Sequence, residues 1–68
     1  MHTLWVVHTN YGMAIKDYRT DDYNVARKAA IMEIGFDSFE RIEESTKDDI
    51  EWVRAMGGRV PMAARKEA

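Results

Sequence analysis

Thr3-Leu4-Trp5-Val6-Val7-His8-Thr9 is the stretch on which the fold turns. Its β-branched and aromatic side chains favour an extended backbone, and successive side chains of a strand point to opposite sides. Leu4, Val6 and His8 therefore fall on one side, and Trp5, Val7 and Thr9 on the other. The stretch from Tyr11 to Tyr18 alternates in the same way, with Tyr11, Met13 and Ile15 against Gly12, Ala14 and Lys16. Between the two, Asn10 tolerates a left-handed backbone and Gly12 can supply a bulge, so a tight hairpin is the economical connection.

The period then changes. Thr20, Asp21 and Asp22 offer side-chain oxygens for the free amides of a helix start, the acids suit its dipole, and Gly35 suits a left-handed stop. A helix over 22–34 follows, with Tyr23, Ala26, Ala30 and Ile34 on one face. Val25, Ala29 and Met32 widen its apolar surface, either to cover a three-stranded sheet or to meet another subunit. A strand is expected near 38–44. Phe39 and Ile42 do not share strand parity whereas Phe36 and Ile42 do, so one phenylalanine serves the loop into that strand. Thr46 caps a second short helix over 47–56, with Asp49 as the capping-box acid, Gly57 and Gly58 as its stop, and Pro61 preventing resumption.

The expected fold class is α+β, a ββαβα domain whose three-stranded antiparallel sheet is covered by helix 22–34. Its core is expected to hold Leu4, Val6, Met13, Ile15, Ala26, Ala30, Ile34 and Ile42. Residues 1–58 form the single domain, and 59–68 a basic C-terminal tail.

At 68 residues, such a domain buries only roughly 60% of the surface its unfolded chain exposes. The chain has no cysteine, hence no disulfide or thiolate metal site to staple a small core, and self-association as a dimer is the expected way to bury more apolar area. A cysteine-free chain suits a reducing compartment, and a cytoplasmic location is expected. The longest apolar runs, such as Leu4 to Val7, are too short for a membrane span, and no basic segment leads into a signal-type apolar run.

Charge is unevenly placed. Residues 1–36 balance, whereas 37–51 carry seven acids against Arg41 and Lys47, a local net of minus five; the part from Trp52 onward swings to plus three. Such an acidic stretch either solvates an edge strand and a helix start or attracts a basic protein surface. Trp52 sits about 100° from Val53 and about 160° from Ile50 on a helical wheel, at the edge of the apolar stripe. There it either closes over the core or contacts a partner. The expected partner-binding residues are Trp52, Asp48, Asp49, Glu51, Glu43 and Glu44, facing a larger protein with a basic site.

The sequence carries no phosphate-binding loop, dinucleotide fingerprint or zincin helix. His2 and His8 share strand parity but stand about 20 Å apart at strand rise, too far to share a metal. No enzymatic activity, cofactor or metal is expected. A net charge of −2 and a short basic tail disfavour direct nucleic-acid binding.

In size and charge texture the chain resembles the small accessory proteins of bacteriophages that bind and inhibit host factors. The resemblance implies a protein-binding inhibitor or modulator of a larger host protein and carries no site over. Two alternatives stand beside it. One is a small homo-oligomer that binds a nucleotide-like or other small ligand between subunits, with Arg27, Lys28 and Arg59 as anion contacts. The other is a structural or assembly subunit.

Overall fold

The computed structural model describes residues 3–61. Its elements are β1 (Trp5–Thr9), β2 (Gly12–Lys16), α1 (Tyr23–Ile34), β3 (Phe39–Glu44) and α2 (Lys47–Ala55). The three strands form one antiparallel sheet in the order β2-β1-β3, with β1 in the middle. The fold is the expected small α+β domain, and its helix ends rest on the expected caps. Asp22 accepts a hydrogen bond from the Val25 amide at 3.1 Å, and Gly35 closes α1 at φ 100°. At α2, Thr46 Oγ1 accepts from the Asp49 amide at 3.1 Å while Asp49 Oδ2 accepts from the Thr46 amide at 2.8 Å.

The core departs from the single layer expected. β1 is apolar on both sides and each side is covered. Trp5 and Val7 pack with Ala26, Ala30 and Ile42 beneath α1, whereas Leu4 and Val6 pack with Ile15, Val53 and Val60 on the side covered by α2. The expected core residues are thus split between two clusters, and Trp5, Val7, Val53 and Val60 join them. Leu4 and Val6 lie against α2, not α1. The cause is topological: a central strand with a helix on each face has no polar side, so the run Leu4 to Val7 is buried throughout.

Phe39 and Ile42 do reach the same side. β1 pairs His8 with Arg41 but Thr9 with Phe39, leaving Glu40 as an extra residue in a bulge. One inserted residue reverses the alternation, so Phe39 packs against the α1-side cluster and Phe36 stays exposed. Helical spacing from Val53 would let Met56 continue the apolar stripe of α2, but Met56 is exposed. The chain instead returns to the sheet after α2: the Gly58 amide donates to the Val53 carbonyl at 2.9 Å, and Val60 enters the core. The packed unit therefore runs past residue 58, and the basic residues beyond 61 lie outside the described residues.

On the α1 side, Tyr18 Oη donates to Glu33 Oε1 at 2.9 Å, and Lys16 Nζ stands 3.5 Å from Glu33 Oε2. Together they tie β2 and its outgoing loop to the helix. Burial, then the hydrogen bond and the charge of Glu33, push the Tyr18 phenol well above its ordinary value.

Two outcomes follow from this packing. A Cβ at Gly58 would stand 2.7 Å from Val53 Cγ1 and 3.1 Å from the Val53 carbonyl oxygen. Gly58→Ala is therefore expected to destabilise the domain by about 1–3 kcal/mol, read as a lower thermal midpoint by circular dichroism. Tyr18 stays protonated in the folded chain after an unfolded tyrosine ionises at about pH 10. Its stabilisation is complete below that value and is lost as pH rises toward the higher folded value. Urea midpoints measured between about pH 9 and about pH 11 should fall with pH in the wild type and fall less steeply in Tyr18→Phe; equal slopes would remove Tyr18 as the cause.

Candidate functional site

On the α2 side of the sheet, α2 packs on Ile15 and Met13 through Ile50 and Val53. Beside it opens a cleft of about 480 Å³, between the hairpin turn, the start of β3 and the end of α2. Half-buried His8 and Met13 lie within it, while Tyr11, Glu40, Trp52 and Met56 form an exposed rim.

Three of the rim residues, Tyr11, Glu40 and Trp52, each owe their position to a specific feature of the backbone. The two-residue connection Asn10-Tyr11 leaves the Tyr11 ring outside the sheet, with Thr9 Oγ1 accepting from the Tyr11 amide at 3.2 Å and donating to the Gly12 carbonyl at 3.0 Å. Gly12 enters β2 at φ 137°, a backbone angle that L side chains rarely adopt. The bulge sets Glu40 apart from the paired register. The helical period turns Trp52 away from the inward stripe, so Val53 is buried while Trp52 is 59% exposed.

His8 is held by its register. Its Nε2 is buried and makes no hydrogen bond, although Glu43 Oε2 lies 3.3 Å away; the two are close enough for electrostatic attraction but not aligned for a bond. Arg41 Nε is 3.7 Å from the same Glu43 oxygen, so Glu43 sits between a cation and an imidazole.

The expected partner residues are only partly gathered. Trp52 and Asp48 are one helical turn apart on the same face of α2, and Glu51 is exposed on the same helix. Glu43 shares the cleft side of the sheet. Glu44 is its strand neighbour and points to the α1 side, opposite Trp5. Asp49 is committed to the α2 cap. The expected anion contacts do not converge within one chain. Arg27 lies on α1 with its guanidinium 5.8 Å from the Phe39 ring centre, Lys28 is its exposed neighbour, and Arg59 adjoins Val60 on the opposite side of the sheet. His2 lies outside the described residues.

Sequence reasoning missed Tyr11, Met13, Met56 and Glu40 as neighbours of Trp52. Tyr11 left a signal, since a large aromatic in a two-residue turn has no core to enter; Glu40 left none, because only the bulge places it. Among the described residues, no group of three or more His, Asp or Glu side chains is arranged to hold a metal ion, and no helix is long and apolar enough to cross a membrane. No protein-family model matches the sequence, and no curated protein or solved structure matches it.

Proposed function

We propose that the protein is a non-enzymatic binding module, an inhibitor or modulator that docks a basic segment of a larger protein at the cleft beside Trp52. The observation that carries this reading is the grouping of three exposed large side chains, Tyr11 at 77%, Trp52 at 59% and Met56 at 71%, around one concavity. Large apolar surface left in water on so small a domain is stabilised by covering it, and Trp and Tyr combine wide contact area with few rotatable bonds.

Charge selects the occupant. Glu40 lines the cleft, and the exposed Asp48 and Glu51 stand on the Trp52 helix. An incoming lysine or arginine would set its aliphatic stem against the methionines and its cationic head near the Trp52 ring and Glu40. Outlying acids would steer the encounter. The cysteine-free sequence suits a cytoplasmic setting for this partner.

The test compares wild type with Trp52→Ala for binding to a panel of lysine- and arginine-rich peptides and to their acidic counterparts, with circular dichroism on both proteins. The expected outcome is selective binding of basic peptides, weakened by about 2 kcal/mol or more in Trp52→Ala with the fold intact. Charge reversal at Asp48 and Glu51 should chiefly slow association and reduce its salt dependence. Unfolding of Trp52→Ala would make Trp52 a core residue, and unchanged binding by a folded variant would place the partner surface elsewhere.

A further inference from the structure

The two edges of the sheet differ. β3 reads Phe-Glu-Arg-Ile-Glu-Glu, four of its six residues charged, and carries a bulge, both of which oppose the addition of another strand. β2 reads Gly-Met-Ala-Ile-Lys and has its single charge at the end, where Lys16 is drawn toward Glu33. The molecule thus has one guarded edge and one unguarded edge.

The backbone direction of the unguarded edge can be read from the other side of β1. The Ser45 amide donates to the Leu4 carbonyl at 2.9 Å, and the Asn10 amide donates to the Ser38 carbonyl at 3.0 Å. Even-numbered residues along β1 therefore direct their backbone groups toward β3, and the odd-numbered ones toward β2. The β2 partners of Trp5, Val7 and Thr9 are Lys16, Ala14 and Gly12, which use their backbone groups inward. Met13 and Ile15 are left with amides and carbonyls aimed out of the sheet.

We propose that β2 pairs with β2 of a second copy, about a twofold axis at Ala14, to form a continuous six-stranded antiparallel sheet. That register is self-complementary. Met13 faces the partner's Ile15 and Ile15 faces the partner's Met13, and each pair exchanges two hydrogen bonds through the outward groups. Ala14 meets the partner's Ala14, where two small side chains fit the close spacing of a non-hydrogen-bonded pair. Lys16 meets the partner's Gly12, so no like charges oppose one another. Shifting by one residue is excluded because it would set side chains of opposite faces against each other. The exposed Val25 and Met32 of α1 form a second apolar surface, but they offer no comparable register. The seam runs through the outward backbone groups of Met13 and Ile15 and meets the cleft at Gly12 and the Met13 side chain. Ala14 is not among the cleft-lining residues, so Ala14 variants test the dimer and Trp52→Ala the binding activity, each without replacing a residue of the other surface.

The test is sedimentation equilibrium on wild type, Ala14→Lys, Ala14→Glu and an equimolar mixture of the two variants, with circular dichroism on each. Wild type is expected at twice 7.9 kDa at high micromolar concentration. Each single variant is expected at single-chain mass with an unchanged spectrum, and the mixture is expected to recover twice that mass. Hydrogen exchange on the wild type provides a measurement that needs no variant: the Met13 and Ile15 amides should be protected at high concentration and lose protection on dilution, while the Ala14 amide stays protected. A wild type that remains at single-chain mass overturns the proposal, as does a dimer that survives both folded variants. Protection of Met13 and Ile15 that does not change with dilution overturns it too, since the edge would then be covered within the chain.

Discussion

Burial of β1 on both faces is the constraint from which the remaining structure follows. Trp5, Val6 and Val7 are almost wholly removed from water, whereas seven other large apolar residues among those described stay exposed. Covering both sides of one strand requires a helix on each side, and both helices must reach the middle of the sheet. The small side chains of Ala26 and Ala30 let α1 sit close to Trp5 and Val7. On the other side the nine-residue α2 is too short to cover the sheet alone, so the chain turns back at Gly58 and adds Val60 to the same cluster.

The cleft is a consequence of that division. α2 covers the β2 half of its side of the sheet, leaving His8, Glu40, Arg41 and Glu43 along the uncovered half. Polar residues on this face of β3 are tolerated because no helix packs there. Trp52 overhangs the boundary between the covered and uncovered halves, which is why it is accessible while its neighbour Val53 is among the most buried residues. The acidic character seen between residues 37 and 51 is likewise divided by the sheet: Glu43 and Glu44 are adjacent in sequence but on opposite faces, and Asp49 serves the α2 cap.

Much of the local structure was legible because it depends on short-range chemistry. The hairpin, the Asp22 and Thr46 caps, the Gly35 stop and the order of elements all rest on residues within a few positions of one another. Trp52 at the edge of its stripe was legible for the same reason, since helical angles are set by the backbone. What escaped was which side of the sheet each helix would take. Alternation in β1 separates Leu4 and Val6 from Trp5 and Val7, but both pairs are apolar, so the pattern is symmetric with respect to that choice.

By itself, then, the sequence determined the α+β class, the antiparallel hairpin, the capped helices and the uneven charge, because propensity, capping and turn chemistry act locally and agree with one another here. Only the tertiary structure decided that the core would be two clusters, that Phe39 would join Ile42, and that Tyr11, Glu40 and Trp52 would share a cleft. Those outcomes depend on a bulge at one register position and on which helix covers which face. Both are settled by packing between residues far apart in the chain, where burial of apolar area outweighs any local preference.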